Sequence, residues 1–148
     1  MSNNTTDIIN VQLIPTLDTS AYGAGDTLFA TTKLSGAPRA GIIRSITMID
    51  KDDVASESAT FYFLNSNVTF GTFNATPSIS DTDAVSIVGV SGAVVASVDL
   101  GGCKIGTLAV TIPYEAQGNG LYVAATTATA LTHTASGLVI NFVIERWI

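Results

Sequence analysis

Apolar and polar residues alternate along most of this chain with a period of two, the spacing expected of strands that bury one face and leave the other in solvent. Stretches 8–14 (IINVQLI), 27–34, 42–50 (IIRSITMID), 60–64 (TFYFL), 90–99, 106–112 (GTLAVTI), 120–129 and 138–147 carry the pattern, and most are rich in β-branched or aromatic residues. Turn residues separate them, with GAPRAG at 36–41, Gly101-Gly102, QGNG at 117–120 and THTASG at 132–137. Pro15 and Pro113 cannot donate to a ladder and are expected to end the strands before them. Gly41 to Asn65 is the most committed stretch and reads as a long hairpin. Ile42, Ile46 and Met48 share one face of its first arm, Phe61 and Phe63 share one face of its second, and the polar Lys51 to Ser58 forms a solvated turn.

Two segments depart from alternation. Asn65 to Ser80 reads as a long loop that Phe70, Phe73 and Ile79 pin to the core. After it, Ser80 or Asp81 can cap one short helix between Asp81 and Val88, kept short by β-branched residues and Gly89. In the other departing segment, Thr16 to Leu28, Asp18, Thr19 and Ser20 satisfy amides locally and Gly23 and Gly25 allow positive φ, as in a structured loop. Strands at this spacing with so little helix predict an all-β fold, a jelly-roll-like sandwich of about eight antiparallel strands with at most one short helix. An immunoglobulin-like sandwich is the rival, but its cysteine pair and strand-C tryptophan are missing. Residues 8–148 are expected to form a single domain preceded by a flexible arm, residues 1–7.

Composition narrows the classes of function. Charged residues are 12% of the 148 and hydrophobic residues 47%, a balance that suggests part of the surface is covered in use. No run approaches the roughly 18 apolar residues a spanning helix needs, so no membrane partner is expected. Net charge is −6, and the six bases, Lys33, Arg39, Arg44, Lys51, Lys104 and Arg146, are scattered, which argues against a nucleic-acid groove. Cys103 is the single cysteine, so no internal disulfide can form, and MSNNTTD lacks the character of a signal peptide. Synthesis in a cytoplasm is the expectation.

Candidate chemistry is sparse. His133, in the turn LTHTAS, is the single histidine, and no GxSxG elbow surrounds a serine. It is expected to be an exposed turn residue, and Cys103 a small packed hydrophobe. Asp50, Asp52, Asp53 and Glu57 crowd one loop, but the spacing fails the calcium-loop pattern and leaves calcium there an open question. No catalytic residue, cofactor site or metal site is assigned. The final residues Arg146, Trp147 and Ile148 are the candidate subunit contact, because Trp and Arg are enriched at interfaces.

Three pieces in order, Asp18 to Asp26 (DTSAYGAGD), Ser45 to Asp52 (SITMIDKD) and Pro77 to Val90 (PSISDTDAVSIVGV), resemble a group of small virion-associated proteins of tailed bacteriophages over roughly residues 15 to 148. The resemblance implies a non-enzymatic structural role as a decoration or auxiliary protein on the outside of the phage head. Its implied partners are the major capsid protein and copies of itself, as in a homotrimer. It supplies no contact residues. A receptor- or glycan-binding module of a head fibre or tail is the alternative. A small hydrolase is a third reading, whose support would be His133 clustering with acids.

Overall fold

In the computed structural model, which describes residues 5–118 and 120–147 (Trp147 by its backbone alone), alternation resolves into ten strands and one helical turn. They are β1 (Thr6–Leu13), β2 (Thr27–Lys33), β3 (Ala40–Asp50), β4 (Ser58–Leu64), α1 (Asp81–Ala84), β5 (Ile87–Val90), β6 (Val94–Val95), β7 (Val98–Asp99), β8 (Lys104–Glu115), β9 (Tyr122–Thr127) and β10 (Leu138–Trp147). Sheet I has the order β1-β10-β3-β8-β7, and sheet II the order β2-β9-β4-β5 with β6 also on β4. All pairings are antiparallel. With the two-residue β6 and β7 set aside, eight strands remain in two four-stranded sheets, and all but one connection between them crosses from sheet to sheet. That is the jelly-roll order, so the predicted fold class holds and the immunoglobulin alternative does not.

The central hairpin, however, does not exist. β3 lies in sheet I between β10 and β8, while β4 lies in sheet II between β9 and β5. Residues 51–57 bridge the two layers. Local pattern finds both strands but cannot say which partner each takes, because β3 and β4 have the same one-sided burial whether they pair or face each other. Face each other they do: Ile46 and Met48 of β3 and Phe61 and Phe63 of β4 are all fully buried. Phe142 of β10 inserts edge-on against Phe61 and Phe63, with ring centroids 5.9 and 5.7 Å away. Against β10, the single step from Val143 to Ile144 spans two residues of β3, Ser45 to Ile43, and this extra residue gives Ile43 the core position and turns Ile42 outward.

Other departures have equally local causes. β1 begins at Thr6, inside the stretch read as an arm, because Thr6 and Asp7 pair with Trp147 and Arg146. Residues 1–4 lie outside the described residues. β8 runs through Pro113 to Glu115, since β7 covers only its first residues and the proline sits where β8 is a free edge. The stretch 90–99 is broken into β5, β6 and β7 as it passes from sheet II to sheet I. At that seam β6 crosses so close to β8 that a Cβ on Gly106 would fall 1.7 Å from the Val95 carbonyl oxygen. Only glycine fits there.

A second, smaller apolar cluster lies on the outer side of sheet II. Leu64, Tyr122 and Ala124 are covered by Phe70, with Val68, Ile79 and Ile87 packed alongside. The long loop is therefore pinned by Phe70 and Ile79 as expected, but to the back of a sheet rather than to the space between sheets, and Phe73 is half-buried outside both clusters. Backbone bonds from Thr27 N to the Ala75 carbonyl and from Asn74 N to the Thr27 carbonyl fasten its far end to β2. The helix is a single turn, capped by Ser80, whose side chain accepts from Asp83 N. No helix among the described residues is long and apolar enough to cross a membrane.

Candidate functional site

The acidic connection between β3 and β4 folds back on itself, with Lys51, Asp53, Ala55 and Ser56 exposed and its two ends, Asp50 and Glu57, buried. Asp50, the last residue of β3, accepts from Asp52 N at 2.9 Å and Val54 N at 3.2 Å, so its carboxylate organises the turn that follows. Asp53 takes positive φ at the bend. This turn presents Asp52 to the β9–β10 connection, where the Thr134 hydroxyl and amide donate to its two oxygens at 2.7 and 2.9 Å. Gly137 makes room for it, since a Cβ there would overlap the Asp52 carboxylate. Glu57, just before β4, accepts from the Thr127 hydroxyl at 2.8 Å.

Between these two acids sits His133. Its Nδ1 lies 3.2 Å from Asp52 and its Nε2 3.0 Å from Glu57, and the Tyr22 ring closes the cluster edge-on at 6.2 Å. The side chains of His133 and Glu57 are fully buried. The expectation of an exposed turn histidine is thus overturned, while that of a solvated acidic turn holds for the exposed Lys51, Asp53, Ala55 and Ser56 and fails at the buried Glu57. Burial alone would lower the histidine pKa, but the hydrogen bond and charge of Glu57, then Asp52, raise it above its usual value. Burial likewise opposes ionisation of Asp52, yet the Thr134 bonds and His133 hold it below the usual carboxylate range. Asp50, short of such partners, is pushed up by burial.

His133 thus does cluster with acids, the arrangement a hydrolase would need, and its geometry is that of a clamp. Each ring nitrogen faces an internal carboxylate, so the protonated imidazole donates to both acids and neither nitrogen is turned toward a substrate. The nearby hydroxyls of Thr127 and Thr134 donate to the acids, not to the imidazole, so neither is activated as a nucleophile. Ligand atoms of Asp50, Asp52 and His133 converge to within 4.8 Å, but those of Asp50 and Asp52 already accept protein hydrogens. Lys104 donates to the Val54 carbonyl at 2.9 Å and lies 3.9 Å from Asp53, supplying the loop with a cation of its own.

The second feature is the outer face of sheet I. Cross-strand register aligns its residues in rows. One row is apolar: Val98, Ile105, Ile49 and Val139 are successive partners across β7, β8, β3 and β10. The next is polar and knit by side-chain bonds: Thr107, Thr47, Asn141 and Gln12, with hydroxyls of Thr107 and Thr47 at 2.8 Å and the Gln12 amide donating to Asn141 at 3.2 Å. Ala109, Ser45 and Val143 follow. Of the charges on the face, Arg44 and Glu145 bond to each other at 2.7 Å, and Glu115 at the end of β8 lies 3.9 Å from Arg39. Thr47 and Val139 stay partly exposed at the centre of the sheet, whereas Ala124 at the centre of sheet II is sealed.

Of the residues picked from sequence as a subunit contact, Arg146 is exposed and donates to Asp7 at the end of the β1–β10 pair. Trp147 lies opposite Thr6 in the backbone register. Its side chain and Ile148 fall outside the described residues. Cys103 is half-buried. A cleft of about 500 Å³ opens between β2 and the long loop, lined by Ala30, Thr31, Asn67, Val68, Thr69 and Asp83. Sequence reasoning missed the clamp, although one signal was present, a lone histidine in a chain that crowds four acids into one loop.

The chain matches no family model and no curated protein sequence. Solved structures with some likeness include dimeric latent PorU from Porphyromonas gingivalis, at a TM-score of 0.39 and 10% identity over 99% of this chain, which spans 13% of that one. A chain in the structure of Desmodium yellow mottle tymovirus is similar at a TM-score of 0.36 and 14% identity, over 99% of this chain and 90% of its own length. At such scores the jelly-roll assignment stands on the strand order and register described above.

Proposed function

We propose that the chain is a non-enzymatic structural protein of a phage virion, a decoration protein on the outer capsid surface that stabilises the head by surface contact. The observation that carries this reading is the uncovered, nearly uncharged outer face of sheet I, a surface suited to contact rather than to chemistry. The closed clamp supports the absence of catalysis, because the single imidazole is spent on two internal acids. Scattered bases and net charge −6 support a position away from nucleic acid.

Two measurements test it. Quantitative mass spectrometry of purified particles of the encoding phage should give a ratio to the major capsid protein near one or a simple fraction such as a third. Purified chain added to shells lacking it should bind and raise their melting temperature. Absence from particles, or shells indifferent to the added chain, would reject the proposal.

A receptor- or glycan-binding module on a head fibre or tail is the second reading, favoured by the cleft beside the long loop. Thr31, Asn67, Thr69 and Asp83 bring hydroxyl, amide and carboxylate groups to one concave site, and the Thr31 hydroxyl is buried without a partner. A handful of copies per particle, with host-glycan binding lost in Asn67→Ala and Asp83→Ala, would favour this reading over decoration.

A further inference from the structure

We infer that the outer face of sheet I is the contact surface for a second copy of this chain, packed face to face about a two-fold axis running parallel to the strands. The inference rests on the reading of the chain as a protein that works by surface contact, and names the surface and its occupant.

Three observations converge on a second copy. The first is the banding. A two-fold axis parallel to the strands keeps each row at its own height while reversing strand order. The row through Val98, Ile105, Ile49 and Val139 then meets itself, apolar on apolar, and the row through Thr107, Thr47 and Asn141 meets groups that can exchange hydrogen bonds. Few surfaces other than its own copy offer that match of rows.

The second observation is charge. Copies of a chain with net charge −6 repel each other unless the contact is free of unmatched acid. On this face Arg44 and Glu145 neutralise each other within one copy and Glu115, at the end of β8, lies 3.9 Å from Arg39, while Asp81 and Asp83 lie in α1, which follows the loop that covers sheet II. The third is area. Four strands about 4.8 Å apart, each presenting about four outward residues at roughly 6.7 Å intervals, offer about 500 Å² per copy. Twice that figure, about 1,000 Å², reaches the size at which specific interfaces begin. Sheets stacked aligned at about 10 Å would repeat between copies the arrangement already present within each one.

Sedimentation equilibrium of the purified 148-residue chain over micromolar to millimolar concentrations tests this directly. A reversible monomer–dimer equilibrium is expected, with Ile49→Lys weakening it by about tenfold or more, since it sets a charge in the middle of the apolar row. Because Ile49 is partly buried, Thr107→Arg serves as the second variant. That site is exposed and its substitution leaves the fold intact, yet it should weaken the dimer as well. A chain that stays monomeric throughout, a trimer, or a dimer indifferent to both substitutions would overturn the inference. Monomers whose binding to shells is lost in both variants would assign the face to the shell, ending this inference and leaving the decoration reading in place. A dimer sensitive to both variants but indifferent to shells would do the reverse.

Discussion

The two sheets share a core but treat their outer faces differently. Sheet II is roofed by its own chain: Phe70 is only 4% exposed and lies over Leu64, Tyr122 and Ala124, with the Tyr62 and Phe70 rings 5.1 Å apart. Among the described residues sheet I has no such roof, and its outward residues are mostly small, branched or amide-bearing, with the few charges paired as Arg44 with Glu145 and Arg39 with Glu115. A face covered by its own loop can be oily, because folding buries it. A face left open must remain tolerable in water until something arrives, and alternating apolar and polar rows achieve that. The difference separates residues that serve stability from residues that serve contact.

Substitutions should therefore sort by location. The largest effect is expected at the clamp, which ties the β3–β4 bridge to the β9–β10 connection and so serves both sheets. His133→Ala leaves Glu57 buried and unpaired, and should cost about 4 kcal/mol in urea unfolding. Hydrogen exchange should then rise in β3 and β4 alike. If only one sheet loosened, the clamp would belong to that layer and not to the whole.

The clamp also carries a pH dependence with a definite sign. The folded state holds the His133 proton more tightly than the unfolded chain does. Its contribution is thus full below the ordinary value of 6.5 and is lost as pH rises through the raised folded value. Asp52, held low, acts oppositely: its contribution is present above 3.8 and is lost as pH falls through the folded value. Asp50, pushed up by burial, has the same sign as His133 but a lower starting point: its contribution is full below 3.8 and is lost as pH rises through its raised folded value. The melting temperature should peak in weakly acidic solution, and His133→Gln should flatten the alkaline limb.

Next in size is the roof itself. Phe70→Ala should cost about 3 kcal/mol and expose the loop to proteolysis, with little effect on sheet I. Smaller still is the cap at the end of that loop, where Ser80→Ala should cost about 1 kcal/mol at most in the same assay. Smallest of all are changes on the open face: Thr107→Arg should shift unfolding by less than about 0.5 kcal/mol. A large loss there in the monomer would mean that the face is not open, and the comparison of the two sheets would fail.

Strand positions were legible in the sequence because each strand has one buried face, and period-two alternation reports burial directly. Phe61, Phe63, Ile46 and Met48 are core residues as that pattern requires. Pairing was not legible. A jelly roll joins strands distant in sequence, and nothing local distinguishes β3 beside β4 from β3 opposite β4. The clamp was hidden for a related reason. His133 and Glu57 are 76 positions apart, and each alone resembles a polar residue in a polar loop. Only the topology brings them together. The row structure of sheet I was likewise present as alternation, but the rows exist only once register is known.

The place of β10 in sheet I bears on how the chain reaches this state. It lies between β1 and β3, pairing with the first strand along its whole length and with the third along most of it. While the chain is being synthesised, β1 and β3 have no strand between them, and sheet I cannot close until β10 has left the ribosome. So many sequence-distant contacts imply a high contact order and slow folding, on a timescale of about milliseconds to seconds. Through that interval both edges of the gap are open to neighbouring chains. Truncation that removes even a few residues of β10 should therefore reduce the yield of soluble protein far more than the number of lost contacts suggests.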